Sequence, residues 1–403
     1  MACPATSACH KLRRSWPNLV ITVAHVITGL STGGAETMLH RLVSALDRAA
    51  FRSCVISLTD AGSVADKILA LGVPVSALDM RPGIPNPLAL ARLARMLRRF
   101  RPQVIQTWMY HANLLGGLAS VGIRNTAVVW NLRRGRLDRD IDARGTLWTS
   151  RVCAALSGWL PTRIICCSEA TRQWHIGAGY ASDRMMVVPN GVDAGLFRPN
   201  CELRTAVRAE LGLAPSAVLI GLAARFEPTK DHKTFVEAAA TLRAALPEAR
   251  FLLCGDGVSW ENTRLAGWIQ AAGIGDRCHL LGRRDDMPRL MASLDLAVSS
   301  SKIEGFPNVV AEALACGVPC VVTDVGDSAR IVGSAGLVVP PGSPRQLAAA
   351  CTQILELPPE ARAQMGTSGR RRIMDNFSLP VVAAQYRQLY EELASDVRDC
   401  RIH

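Results

Sequence analysis

Residues 296–312 read LAVSSSKIEGFPNVVAE, and this stretch decides the fold class. A short apolar run, Leu296–Ser299, is followed by a polar turn and by Pro307, a residue type that favours the first position of a helix. The order strand, loop, helix predicts that Glu304 lies in the loop and that Glu312 lies about one and a half turns into the helix. Helical side chains lean toward the N-terminus, so both carboxylates can face a ligand docked there. Carboxylates accept hydrogen bonds from paired hydroxyls, which suits a sugar or a ribose.

The same alternation of short apolar runs and helical patterns extends through nearly the whole chain. It predicts an α/β protein with two parallel, doubly wound sheets. Because such sheets bind ligands at the carboxyl ends of their strands, we expect two Rossmann-like domains that face each other across a cleft. The predicted strands are Val20–Ile27, Cys54–Leu58, Val104–Thr107, Ala127–Trp130, Arg163–Cys166 and Met186–Val188, then Val218–Ala223, Arg250–Cys254, His279–Leu281, Leu296–Ser299, Cys320–Thr323 and Leu337–Val338.

A turn-rich stretch, Pro189–Asn200, divides these strands into two sets of equal size and predicts the domain boundary. We expect a flexible extension at residues 1–18, a first domain at 19–195 and a second domain at 196–375. The remaining residues, 376–403, contain a helical pattern from about Leu379 to Val397 that we expect to cross back onto the first domain.

Composition excludes several classes of protein. Of the 403 residues, 49% are hydrophobic and 20% charged, which is typical of a folded protein and not of a disordered chain. No apolar run reaches the roughly 20 residues that span a bilayer. The 13 cysteines form no CxxC pair, which favours a reducing cytoplasm over a disulfide framework or a zinc site.

The positive charge is confined to one half of the chain. Residues 1–200 hold 24 lysines and arginines against 11 acidic residues, whereas residues 201–403 hold 22 against 23. Such a one-sided field attracts an anionic partner, whether nucleic acid, an acidic lipid surface or a phosphate-bearing substrate. Residues 87–101 also form a basic amphipathic helix, which fits either a membrane surface or an ordinary sheet-covering helix with solvated arginines (Arg92, Arg95, Arg98 and Arg99).

Three further motifs follow predicted strands. Gly33-Gly34 lies just before a predicted helix. Paired glycines there either let a phosphate approach the backbone or simply form a turn, and the spacing differs from the dinucleotide motif GxGxxG. Arg225 and Lys230 follow the first strand of the second domain and could bind a diphosphate or be solvated. His111 lies at a strand end in the basic half and fits either proton transfer or a structural helix start.

Together these motifs resemble the retaining glycosyltransferases of the GT-B fold, family 4, over about residues 20–375. The resemblance rests on matching positions in matching strand and helix contexts. They are Gly33–Glu36, Asn190–Asp193, Arg225 with Lys230, Leu281–Arg283, and Glu304 with Glu312.

The resemblance implies a role for each matched residue. Arg225 and Lys230 would bind the donor diphosphate and stabilise the charge that develops on it, while Glu304 would contact the transferred sugar and Glu312 the ribose. Trp108 stands where many relatives carry a histidine, so the resemblance points to His111, three residues later, as the fourth catalytic residue. The remaining donor-binding residues would be Gly33, Gly34, Leu281, Gly282, Arg283, Gly305, Phe306, Pro307, Asn308 and Val309.

The resemblance also implies a metal-independent enzyme without a cofactor. The donor would be a nucleoside diphosphate sugar, with uridine diphosphate favoured and guanosine diphosphate next, and the acceptor a sugar or a lipid-linked, anionic group. Surface polysaccharide or glycolipid assembly would be the setting, in the cytoplasm or at the inner membrane face, with no nucleic acid partner. The motif Asp138-Arg139-Asp140-Ile141-Asp142 looks like a metal-binding motif of other sugar transferases, but no apolar strand precedes it at the right distance, and we interpret it as a solvated loop.

Two alternatives stay open at this stage. A sugar-nucleotide epimerase shares the GT-B architecture, although Glu304 and Glu312 together with Arg225 and Lys230 argue against it. A non-catalytic protein that binds anionic polymers would use the basic half and would lose affinity steeply with salt. An NAD dehydrogenase is disfavoured because the dinucleotide fingerprint is missing.

Overall fold

A computed structural model of the chain describes residues 20–31, 33–81, 86–214 and 216–399. The extension predicted at residues 1–18 lies outside this described part. The first half forms one α/β domain. Its elements are β1 (Ile21–Ile27), α1 (Gly34–Ala45), β2 (Phe51–Ser57), α2 (Gly62–Ala70), β3 (Val75–Ala77), α3 (Pro87–Phe100), β4 (Val104–Trp108), α4 (Tyr110–Ser120), β5 (Ala127–Leu132), α5 (Arg144–Leu156), β6 (Arg163–Cys166), α6 (Glu169–Gly177) and β7 (Met185–Val187).

The second half repeats the pattern and ends in three consecutive helices. Its elements are α7 (Cys201–Glu210), β8 (Val218–Ala223), α8 (His232–Ala245), β9 (Ala249–Cys254), α9 (Thr263–Ala271), β10 (Cys278–Leu280), α10 (Met287–Ser293), β11 (Leu296–Ser299), α11 (Asn308–Ala315), β12 (Cys320–Thr323), α12 (Ser328–Val332), β13 (Gly336–Val339), α13 (Pro344–Leu355), α14 (Pro359–Asn376) and α15 (Leu379–Asp399).

Both sheets are parallel and doubly wound, which confirms the predicted fold class. The strand order is β3-β2-β1-β4-β5-β6-β7 in the first domain and β10-β9-β8-β11-β12-β13 in the second. The first sheet has one strand more than predicted, because β3 is only three residues long and carries no clear apolar alternation. Helices cover both faces of each sheet, and so strands such as β1 and β4 are buried almost throughout.

The last helix belongs in space to the first domain. Between α14 and α15 the chain is hydrogen-bonded to Val192 of the domain boundary. The Val192 amide donates to Phe377 O at 2.9 Å, and the Leu379 amide donates to Val192 O at 2.8 Å. From there α15 packs against α1, β1, β4 and β5, and buries Tyr386 and Tyr390 in the core of the first domain. The first domain is therefore completed by residues that follow the second one.

The two domains also meet through a helix end. The carboxylate of Asp327, which precedes α12, accepts hydrogen bonds at 3.1 Å from the backbone amides of Glu169 and Ala170 in the first turn of α6. An acceptor and a negative charge at a helix N-terminus satisfy otherwise unpaired amides and complement the helix dipole. This contact fixes the α6 end of the first domain against the second.

Two further observations concern the chain as a whole. Within the described residues, every helix is too short or too polar to cross a membrane. The cysteines of the described part are free thiols and, Cys201 apart, they are buried.

Candidate active site

A cleft lies between the carboxyl ends of the two sheets and encloses a cavity of about 710 Å³. Segments that follow β4, β5 and β7 line one wall, and segments that follow β8, β9 and β11 line the other. Ligands of doubly wound sheets bind in this position. The predicted residues that line the cavity are Gly33, Gly34, Arg225, Lys230, Arg283, Glu304, Gly305, Phe306, Pro307, Asn308, Val309 and Glu312.

Glu304 lies in the loop before α11, as the sequence predicts, and two donors hold its carboxylate. Lys230 Nζ is 2.5 Å from Glu304 Oε1, and Ser301 Oγ donates to the same oxygen at 2.7 Å. Lys230 is placed by a short turn that ends at Asp231, whose φ of +46° is left-handed and whose side chain caps α8. An ammonium group and a carboxylate are thus presented side by side at the cavity wall.

Glu312 is the fifth residue of α11, one residue earlier in the helix than predicted because the helix begins at Asn308 and not at Pro307. Its Oε1 lies 2.6 Å from Arg41 Nη2, which belongs to α1 of the other domain. Arg41 also donates to Gly191 O at 3.1 Å. The pair is largely buried, and it places a carboxylate at the centre of the cleft with a cation across from it.

Arg225 follows β8 and is the more exposed of the two predicted diphosphate cations. Its Nη1 lies 3.0 Å from Glu227 Oε1, and half of its side chain is accessible to solvent. An exposed ion pair of this kind contributes little to stability. Arg225 can therefore exchange Glu227 for a more strongly charged anion at small cost.

The N-terminus of α1 faces the same cavity from the first domain. A methyl group at Gly34 would lie 3.4 Å from Asn308 Nδ2, so the two helix ends approach each other closely. Glu36 folds back toward Gly33, and burial raises the pKa of its carboxyl, an effect that a backbone hydrogen bond and the positive charge of Arg225 partly offset. Helix N-termini with accessible amides suit the binding of phosphate.

Two glycines let the cleft walls touch below the cavity. A methyl group at Gly135 would lie 1.7 Å from the carbonyl oxygen of Glu304, and one at Gly305 would lie 2.9 Å from Cys167 Sγ. Any side chain at Gly135 would force the Glu304 loop away from the first domain. The loop that carries the key carboxylate is therefore seated against the end of β5.

Arg133 lies two residues before Gly135 and links this contact region to the rest of the first domain. The sequence analysis did not identify Arg133 as a site residue. Its Nη1 donates to Asn190 Oδ1 and its Nη2 to the hydroxyl of Tyr386. Asn190 in turn donates through Nδ2 to Asn308 Oδ1 at 2.6 Å, across the cleft. Asn190 belongs to the motif Asn190–Asp193 that marked the resemblance, so this motif was a signal for a site residue.

The structure does not place His111 on the cavity wall. β4 ends at the buried Trp108, and Met109 then adopts a φ of +74°, which turns the chain so that Met109 itself lines the cavity. His111 becomes the second residue of α4, where burial lowers its pKa. The geometry therefore gives no support to the catalytic role predicted for His111.

Leu281 and Gly282 also lie outside the cavity lining. They continue the line of β10, with the Leu281 amide donating to Leu253 O at 3.0 Å and the Gly282 amide donating to Val258 O at 2.8 Å. Gly282 has a φ of +62°, and the turn it makes brings the next residue, Arg283, to the cavity. Of this predicted trio, Arg283 alone lines the cleft.

The Asp138–Asp142 loop is partly exposed, as predicted for a solvated loop, and contacts of the Asp142 carboxylate hold it together. Asp142 Oδ1 forms an ion pair with Arg134 Nη2 at 2.8 Å, and Asp142 Oδ2 accepts a hydrogen bond from the Asp138 amide at 2.8 Å. The carboxylate of Asp142 is buried by these contacts. Within the described residues, no group of three or more histidine, cysteine or acidic side chains is arranged to hold a metal ion.

Comparison with known proteins agrees with this architecture. The family model described as Glycosyltransferase Family 4 matches residues 32–196, and the one described as Glycosyl transferases group 1 matches residues 204–372. EpsF of Bacillus subtilis, provisionally named as a glycosyltransferase, is 27% identical over 75% of this chain and 79% of its own. The lipopolysaccharide core biosynthesis mannosyltransferase LpsB of Rhizobium meliloti is 25% identical over 80% of this chain and 90% of its own.

Some relatives match over about half of their length, among them the N-acetyl-alpha-D-glucosaminyl L-malate synthase of Bacillus anthracis, with 28% identity over 49% of this chain and 51% of that protein. Among solved structures, HepE of Anabaena in complex with UDP superposes with a TM-score of 0.81. It is 23% identical and covers 92% of this chain and 100% of its own, a likeness that shows the fold. Two family models that together span both domains, and a fold shared with HepE, show that the chain belongs to the glycosyltransferases of the GT-B fold.

Proposed function

We propose that this glycosyltransferase moves a hexosyl group from a nucleoside diphosphate sugar to an acceptor hydroxyl, with retention of anomeric configuration. The observation that carries the proposal is the pair Glu304 and Glu312 on one wall of the cleft, each within 2.6 Å of a cation. Carboxylates held in this way can accept hydrogen bonds from sugar and ribose hydroxyls.

In the proposed reaction different residues bind different parts of the donor. Glu312 binds the ribose, Glu304 binds hydroxyls of the transferred sugar, and the amides at the start of α11 contact the sugar or the phosphate. The acceptor oxygen attacks the anomeric carbon as the bond to the diphosphate oxygen breaks. The bonding electron pair leaves with the diphosphate, and the acceptor proton passes to a diphosphate oxygen on the same face of the sugar.

Arg225 and Lys230 supply the electrostatic part of this mechanism. Negative charge grows on the departing diphosphate, and preorganised cations in a cleft stabilise such charge more than water does. Both cations already sit beside a carboxylate, at 3.0 Å and 2.5 Å, so each can turn to the diphosphate when the donor enters. The proposal includes no metal ion, since these two side chains provide the positive charge.

Uridine diphosphate is the first candidate for the nucleotide and guanosine diphosphate the second. The support for this order is that HepE structures were obtained with UDP, with UDP and glucose, and with UDP-glucose. The setting we propose is polysaccharide or glycolipid assembly, as in the name of LpsB.

A thermal-shift series with UDP, GDP, ADP and NAD on the wild type and on Glu312→Ala tests the proposal. A ligand at 100 times its dissociation constant adds about 2.7 kcal/mol to the free energy of unfolding. We expect one nucleoside diphosphate to stabilise the wild type and to lose most of that effect in Glu312→Ala. Stabilisation by none of the four would contradict the proposal and favour the protein that binds anionic polymers, a class that the charge of the first half already fits.

We further propose that the first domain rests on an anionic membrane at its cytoplasmic face, where it would receive a lipid-linked acceptor. Between residues 80 and 168 the chain has 14 arginines against three aspartates, and α3, α4 and α5 contain no acidic residue. These three helices pack side by side. Their outer surface bears exposed apolar side chains, with Leu88 81%, Trp148 63% and Trp159, just beyond α5, 66% accessible.

Tryptophan and arginine together on one surface suit the interface between lipid headgroups and acyl chains. Flotation with liposomes tests this part of the proposal. We expect recovery with vesicles that contain anionic lipid and little recovery with neutral ones, and equal recovery from both would contradict it.

A further inference from the structure

Arg133 is a cation of the cleft whose contacts are all with neutral groups. Its guanidinium donates to the side chains of Asn190 and Tyr386, and it covers the ring of Trp108 with 5.0 Å between the guanidinium carbon and the ring centroid. Its Nε is buried and lacks a hydrogen-bond partner. These contacts orient the guanidinium firmly and leave donors of its fork unused.

The charge of Arg133 is also unbalanced. Within the part of the chain that the structure describes, no carboxylate forms an ion pair with it, whereas Arg41, Arg134 and Lys230 on the same cavity each have one. A partly buried cation without a counter-ion is unfavourable, and a neutral side chain could make the same hydrogen bonds more cheaply. A role in stability alone therefore does not explain an arginine here.

Arg133 also occupies a particular place in the cleft. It lines the cavity directly after β5, two residues before Gly135, the point where the first domain touches Glu304. Arg225 and Lys230 approach the cavity from the second domain and have their own carboxylates. Arg133 thus brings positive charge from the acceptor side to the position of Glu304.

We propose that Arg133 forms an anion-binding subsite at the reaction centre, separate from the diphosphate subsite of Arg225 and Lys230. It recognises an oxyanion of a substrate, either a phosphate on the acceptor or a carboxylate on the transferred sugar. Arginine binds both groups through the same planar fork. The inference rests on the proposed function for the identity of the reaction centre.

Titration with inorganic phosphate, in the presence of saturating UDP, tests the subsite by calorimetry and thermal shift. UDP fills the diphosphate subsite, so we expect phosphate still to bind the wild type, to lose this binding in Arg133→Gln, and to bind Arg133→Lys about tenfold more weakly because the fork is lost. Arg124→Gln, an exposed arginine of the same domain, is the control and should behave as the wild type. Both Arg133 variants should bind UDP normally.

Two results would overturn the proposal. Phosphate binding that is unchanged in Arg133→Gln would make Arg133 purely structural, and a loss of UDP affinity as large as that in Arg225→Ala would assign it to the diphosphate. If Arg133→Gln does not fold, the phosphate affinity of Arg133→Lys, which keeps the charge, is compared with that of the wild type instead. If UDP does not bind even the wild type, the proposed donor fails, while phosphate titrated into nucleotide-free wild type and Arg133→Gln still decides the subsite.

UDP-glucose and UDP-glucuronate distinguish the source of the anion. If the subsite reads a carboxylate on the donor sugar, the wild type prefers UDP-glucuronate by about tenfold and Arg133→Gln loses the preference. If it reads an acceptor phosphate, the two donors bind alike and inorganic phosphate binds in addition to UDP-glucose.

Discussion

The two domains have the same strand order around their first strands and yet carry different charges. Residues 1–200 have an excess of 13 positive charges, and the rest of the chain is nearly neutral. The cations that line the cleft from the second domain include Arg225 and Lys230, both beside carboxylates, whereas the hydrogen bonds of Arg133 among the described residues go to Asn190 and Tyr386, which are neutral. The shared topology fixes where a ligand binds, and the charge determines what each half binds.

This difference indicates that the two domains bind different partners. In the second domain Arg225 and Lys230 form ion pairs that a donor diphosphate can replace, and acidic residues nearly balance the lysines and arginines of residues 201–403. The first domain carries an excess of positive charge on α3–α5, and in its described part Arg133 of the cleft forms no ion pair with a carboxylate. Charge of that kind acts at a distance and raises the local concentration of anionic partners.

The largest expected effect is on turnover, in the second domain. Arg225→Ala should lower kcat by about 10²–10³-fold, because it removes a cation that faces the charge developing on the diphosphate. The measurement is release of nucleoside diphosphate from the sugar nucleotide. Arg243→Ala is the matched control, since Arg243 forms an exposed ion pair with Asp276 at 3.4 Å in the same domain. A wild-type rate in Arg225→Ala would break the assignment of the diphosphate to this domain.

The second expected effect is on membrane binding, and it tests the difference in surface charge between the two domains. Arg95→Gln/Arg99→Gln on α3 should lower the partition of the protein onto anionic vesicles by about thirtyfold, because each cation near such a surface contributes about 1 kcal/mol. The same double change in the second domain, Arg345→Gln/Arg371→Gln, removes two exposed arginines and should leave flotation unchanged. Equal losses in both variants would mean that net charge, and not the α3–α5 surface, governs binding.

The smallest effect is the loss of folding stability as the pH falls, and this loss should be larger in the first domain. Burial lowers the pKa of His25 to about 3 and those of His175 and His232 to about 4, so these side chains stay neutral in the folded protein. The unfolded chain takes up their protons below about pH 6.5, and folding stability is therefore lost as the pH falls from 6.5 toward 4. At pH 5.5 each histidine should cost about 1 kcal/mol.

Urea unfolding at pH 7.5 and 5.5 measures this loss. His175→Gln in the first domain and His232→Gln in the second should each reduce the difference between the two pH values by about 1 kcal/mol. His25 and His175 lie in the first domain, so that domain should respond to acid about twice as strongly. A pH dependence that both variants leave intact would show that other groups control it.

The sequence was sufficient for those parts of the molecule that depend on neighbours along the chain. The loop position of Glu304 and the helical position of Glu312 follow from one strand–loop–helix segment, and the structure has both. The bounds of Arg163–Cys166, Val218–Ala223, Leu296–Ser299 and Cys320–Thr323 are those predicted, because buried parallel strands are continuous apolar runs.

The features that sequence reasoning missed depend on contacts between distant segments. Arg41 pairs with Glu312 across the cleft, and only the packing of the two domains brings them together. The turn at Met109, with a φ of +74°, is likewise not visible in the sequence, and because of it Met109 and not His111 lines the cavity. The exposure of Trp148 was also unexpected, although Arg144, Trp148 and Arg151 have the spacing of one helix face.

The return of α15 to the first domain has a consequence for how the protein is made. Tyr386 and Tyr390 fill the core of a domain whose strands, from Ile21 to Val187, are synthesised about 200 to 365 residues earlier. Domains generally fold in order as they leave the ribosome, but here the domain that emerges first can close its core only after α15 has been translated. The second domain can therefore complete its fold before the first one does.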